Sequence, residues 1–67
     1  MVTAWIIKRK SLRLNMISTT VEFFGNKMTK EDLEKYYGGN PDSELISINQ
    51  VDPQTAWKTR ETWEKVK

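Results

Sequence analysis

Thr29-Lys30-Glu31-Asp32-Leu33-Glu34-Lys35-Tyr36-Tyr37-Gly38-Gly39 holds a helix start, an apolar stripe and a helix stop in one short run. The Thr29 hydroxyl can accept from the backbone N–H three residues on, and the Asp32 carboxylate can reach back to the Thr29 N–H, the reciprocal pattern of a capping box. Met28 and Leu33 flank that cap at the positions of a hydrophobic staple. Leu33, Tyr36 and Tyr37 fall at i, i+3 and i+4, one face of a helix. Gly38-Gly39 offers the left-handed residue that commonly ends one. The spacing predicts a helix of about two to three turns, starting at Thr29 or Lys30.

Upstream of this helix lie two stretches of strand character. Val2-Thr3-Ala4-Trp5-Ile6-Ile7 is β-branched and aromatic without clean alternation, as in a strand covered on both sides. Ile17-Ser18-Thr19-Thr20-Val21-Glu22-Phe23-Phe24 is the second, closed by a Gly25-Asn26 turn. With a basic turn at Lys8-Arg9-Lys10 and Leu12-Arg13-Leu14 after it, they predict a long hairpin. Its register stays open, because Ser11 and Asn15 are weak turn signals.

Downstream, Asn40-Pro41-Asp42-Ser43 is a turn by composition, and residues 44–51 predict a strand with Ile46, Ile48 and Leu45 buried. Asp52-Pro53 starts a second helix, with Asp as cap and Pro at the first helical position, running from Gln54 to Val66 with a Glu61/Lys65 pair at i, i+4. Ala56, Trp63 and Val66 share one stripe of it, and Trp57 falls off that stripe. The expected fold is α+β: a small three-stranded antiparallel sheet with one packed helix in a ββαβ unit, plus a C-terminal helix.

Sixty-seven residues form a single domain, and without cysteine or histidine there is neither a disulfide framework, a zinc cage nor a Cys/His nucleophile pair. A core this small rarely supplies more than ~3–5 kcal/mol, so a homodimer is expected. The apolar run near the start is too short to span a bilayer. Its charges follow it, the reverse of a signal peptide, which points to a cytoplasmic address.

The net charge is only +2, but it is unevenly spread. Residues 1–14 carry Lys8, Arg9, Lys10 and Arg13 and no acid, whereas Glu22, Glu31, Asp32, Glu34, Asp42 and Glu44 make the middle of the chain acidic. Catalysis is not expected, since an acid/base site would need tuned carboxylates in a cleft. Glu31, Asp32 and Glu34 match no calcium loop and suit a helix first turn, so neither metal nor cofactor is expected. Two binding chemistries remain. Seven aromatic rings with interspersed Lys and Arg could stack single-stranded nucleic acid, with Trp57, Tyr36 and Tyr37 the rings most available. Alternatively, the carboxylates could stand where DNA phosphates lie in another protein's groove, anchored by Leu33, Tyr36 and Tyr37.

Thr29 to Gly38, followed by a polar turn and Glu44-Leu45-Ile46, resembles the helix-turn-strand of phage-encoded uracil-DNA glycosylase inhibitors. In the small dimeric inhibitors of short-tailed Bacillus phages, a hairpin precedes a Ser-capped helix ending in Tyr-Gly and then an acidic-to-apolar strand, and Val2-Thr3 is similar as well. In the larger monomeric inhibitor of another Bacillus phage, a helix ending in Gly leads into a Pro-Glu-Ser-Asp-Ile-Leu run, which Pro41-Asp42-Ser43-Glu44-Leu45-Ile46 resembles. The similarity covers Met28 to Ile46. It implies a protein DNA mimic of an infected bacterial host's cytoplasm, with acids in place of phosphates and an apolar pocket enclosing the leucine that the glycosylase pushes into the duplex. By that resemblance the partner-binding residues are Glu22, Asp32, Leu33, Glu34, Tyr36 and Tyr37. The host glycosylase is then the partner, and no direct nucleic-acid binding is expected. The alternatives are a small single-strand nucleic-acid-binding phage protein using Lys8, Arg9, Lys10 and exposed aromatics, or a mimic directed at another host DNA-binding enzyme.

Overall fold

The computed structural model describes residues 2–25 and 27–66. Its elements are β1 (Thr3–Ser11), β2 (Met16–Phe24), α1 (Lys30–Gly38), β3 (Ser43–Val51), α2 (Pro53–Ala56) and β4 (Thr62–Lys65). The strands form one antiparallel sheet in the order β3-β1-β2-β4. β1 lies inside it, as its unbroken apolar run requires.

β1 continues through Lys8, Arg9 and Lys10 to Ser11, so the basic residues are strand and not turn. The hairpin turns at residues 12–15, where Asn15 takes a left-handed φ of 53° that asparagine tolerates. Ser11 Oγ accepts from the Leu14 N–H at 3.2 Å. These two residues fix a register that pairs Thr3 with Phe24 and Ser11 with Met16. Gly25 follows the end of β2, and Asn26 of the expected turn lies outside the described residues.

The capping box of α1 forms as its spacing predicts. Asp32 N–H donates to Thr29 Oγ1 at 3.2 Å, and Thr29 N–H donates to Asp32 Oδ2 at 3.3 Å. The helix stop differs from expectation: Gly39 caps it with φ −86°, and no described glycine has a positive φ. The turn after it is held by Asn40, whose Oδ1 accepts from Asp42 N–H at 2.9 Å.

Leu33 is 0% exposed and packs with Trp5, Ile7 and Ile48, with Phe24, Met28, Tyr37 and Leu45 around them. Since Trp5 and Ile7 alternate with Ala4 and Ile6, α1 covers one sheet face only. On the other face, α2 packs Ala56 toward the Ala4 end of β1. Trp57 is 78% exposed yet stacks on Phe23, with ring centroids 4.9 Å apart.

Two expectations fail downstream. Ile46 is 47% exposed rather than buried, because the β1–β3 register shifts between Lys8 and Arg9 and leaves it as the extra residue of a bulge. The C-terminal helix stops at Ala56, and Thr62–Lys65 instead pairs with β2 as a fourth strand. Residues 58–62 carry no apolar side chain to continue a helical stripe. Trp63 and Thr62 favour extended backbone, and the free edge of β2 supplies the pairing.

Candidate functional site

Extending β1 to Ser11 puts Arg9 on the same face as Trp5 and Ile7, and puts Lys8 and Lys10 on the other. Across the sheet, Arg9 stands opposite Ser18, and Ser18 opposite Trp63. One row of this face therefore reads cation, small hydroxyl, indole. The next residues inward on β2, Thr20 and Glu22, continue along the same face. Ser18 and Thr20 are buried beneath the larger side chains, and the Thr20 hydroxyl is satisfied by the Ile7 carbonyl at 3.5 Å.

α1 forms the wall of this trough. Tyr37 tucks its ring under the Arg9 guanidinium, 5.0 Å from carbon to centroid, a cation–π contact. Tyr36 meets Tyr37 edge-on at 4.9 Å and is itself 74% exposed. Arg9, Glu22, Tyr36, Tyr37, Asn40 and Ser43 enclose an open hollow of about 420 Å³. Beneath it, Arg9 Nε and Ser43 Oγ are buried with no hydrogen-bond partner among the described residues. Burial pushes the Tyr37 phenol above its ordinary range, and the Glu22 charge pushes it the same way, against the opposing pull of Arg9.

The residues named from the sequence separate into four groups. Glu22, Tyr36 and Tyr37 come together around the hollow. Glu34 faces a different depression of about 360 Å³, shared with Lys30 and the outer edge of β3 around Ile46. Asp32 is engaged in the Thr29 cap, which holds its carboxyl below the ordinary carboxylate range, with Lys35 adding to the effect. Leu33 belongs to the chain's own core. An apolar pocket that uses its side chain to enclose a partner's leucine is therefore not formed in this structure.

Asn40 and Ser43 are the site residues that sequence reasoning missed, and Arg9 was named only within the basic Lys8-Arg9-Lys10 run, not beside the α1 rings. For Arg9 a signal existed: Trp5, Ile7 and Arg9 share a period of two, and carrying that period past the apolar run places Arg9 beside the core. Trp63 had no such signal, because its position depends on pairing with a strand about 45 residues earlier. Among the described residues, no group of three or more acids could hold a metal ion, and no helix is long and apolar enough to cross a membrane.

No protein-family model, curated protein or solved structure matches the chain. The trough itself bears on function. It combines a stacked guanidinium, exposed rings on two elements, a floor of small hydroxyl residues and one facing carboxylate. Such an arrangement is suited to holding flat polar groups by stacking and edge contacts.

Proposed function

We propose that the protein binds single-stranded nucleic acid along the sheet face bounded by α1 and β4. The observation that carries this reading is one row of the sheet: Arg9 and Trp63 stand on either side of the small Ser18, with Tyr36 on the adjacent helix. Tyr36 and Trp63, which is 56% exposed, are free to stack bases, while Arg9 and Lys65 on the same face can meet phosphates. Lys8 and Lys10 point to the opposite face and play no part. The test is fluorescence anisotropy of a labelled single-stranded oligonucleotide titrated with the protein. Tyr36→Ala and Trp63→Ala should each weaken binding at least about fivefold, the lower end of base–aromatic stacking. No retention of the strand at low salt would remove the proposal.

A second reading keeps the resemblance and is favoured by the outer side of α1. Glu31, Asp32, Glu34 and Tyr36 are exposed there, with Asp42 and Glu44 exposed just beyond. In this reading the protein, as a homodimer, inhibits a host uracil-DNA glycosylase by DNA mimicry and does not bind oligonucleotides itself. Uracil release from a uracil-containing single strand would then fall stoichiometrically as the protein is added. Undiminished release would leave the first reading alone.

A further inference from the structure

We infer that the hollow between α1 and the sheet is a recognition site for a guanine base, held edge-on between Arg9 and Glu22 and stacked on Tyr36. The inference rests on the nucleic-acid reading for its class of ligand. The hollow carries both signs of charge: Glu22 opposes a bare phosphate or carboxylate, and Arg9 opposes a simple cation. A neutral ring with donors on one edge and acceptors on another meets both demands. Among the common bases, guanine alone presents two adjacent donors, N1–H and N2–H, beside two adjacent acceptors, O6 and N7. A carboxylate only accepts and a guanidinium only donates, so Glu22 matches the first edge and Arg9 the second.

The spacing allows this. The β2 residue opposite Arg9 is Ser18, four positions from Glu22, which is about 13 Å along the strand before the two long side chains lean inward. The exposed Tyr36 ring borders the hollow, and Asn40 and Ser43 complete its lining. Arg9 is positioned from behind by the Tyr37 ring, which fixes the plane of the guanidinium without consuming its donors.

The test is calorimetric titration of the full chain with the 5′-monophosphates of guanosine, inosine, adenosine and uridine, and with the strands TTGTT and TTTTT. Guanosine monophosphate should bind at least tenfold more tightly than the adenosine and uridine compounds. Inosine monophosphate, which lacks only the 2-amino group, should lose most of that advantage. Glu22→Gln should cut the guanine preference below threefold without moving the thermal midpoint. Preference seen with the strands alone would assign the site to polymer and not to free nucleotide, with the base recognition upheld. Equal affinity for all four nucleotides and for both strands would overturn the guanine site and leave nucleic-acid binding standing. Binding of none of them would overturn both. Should the Glu22 variant fail to fold, the inosine comparison on the unaltered chain decides alone, and equal affinity there overturns the role of the carboxylate.

Discussion

Leu33 has lost all solvent contact between α1 and the face made by Trp5, Ile7 and Ile48, so shortening it empties space that nothing nearby can fill. Leu33→Ala should cost about 2–5 kcal/mol, comparable to the whole net stability of a domain this small. Urea unfolding should show the variant largely unfolded without denaturant. Any loss of binding on that background reports the fold and not an interface. Asp32 is also structural, but through charge. Its carboxyl is held below the ordinary range first by the Thr29 hydrogen bonds, so its contribution is complete above the unfolded aspartate value of ~4 and is lost as pH falls through the lower folded value. Thermal midpoints measured from pH 6 down to pH 2 should fall less steeply for Asp32→Asn than for the parent chain. Thr29→Ala should remove about 1 kcal/mol even at neutral pH. These two residues were legible because a capping box is a local pattern. Arg9 was less so, because its place depends on where the strand ends.

At the scale of elements, the same division between local and distant causes recurs. The start of α1, the turn at Asn40 and the Asp52-Pro53 helix start all form as read, since each is set within four or five residues. The Asp52 carboxylate accepts from Gln54 N–H at 3.2 Å, yet that cap begins only one turn of helix. What continues a helix is an apolar face to bury, and the polar run from Lys58 to Thr62 has none. The C-terminal segment gains more by adding a ladder to β2, extended by a Val66 N–H donating to Asn15 carbonyl at 3.1 Å. This assignment is directly measurable. Nuclear Overhauser spectra should show cross-strand contacts between Ser18 and Trp63 and between Ile17 and Glu64, whereas a helix through residues 54–66 would give i to i+3 contacts. The bulge at Ile46 is likewise beyond sequence reading, because a strand pattern does not reveal which residue its partner skips.

The whole molecule is a slab, 36 × 25 × 13 Å, with a radius of gyration of 12.2 Å. A rounded domain of this length would have a radius near ~11 Å. Its surface of 5235 Å² likewise exceeds the ~4400 Å² typical of its mass. One helix cannot cover four strands, and the uncovered part of the α1-bearing face is where Trp63, Arg9 and Glu22 stand. A flat face with few cations predicts a distinctive dependence on salt. Arg9 and Lys65 can neutralise at most two phosphates, and each contributes ~0.7 to the slope for a single strand, giving about −1.4 in log K against log salt. Affinity should therefore fall about 7-fold between 50 and 200 mM salt, the remainder being stacking that salt barely affects. Lys65→Gln should reduce that slope by about 0.7 and Trp63→Ala should leave it unchanged while lowering affinity at every salt concentration. A slope steeper than about −4 would need more cations than this face offers, and would rule it out as the interface.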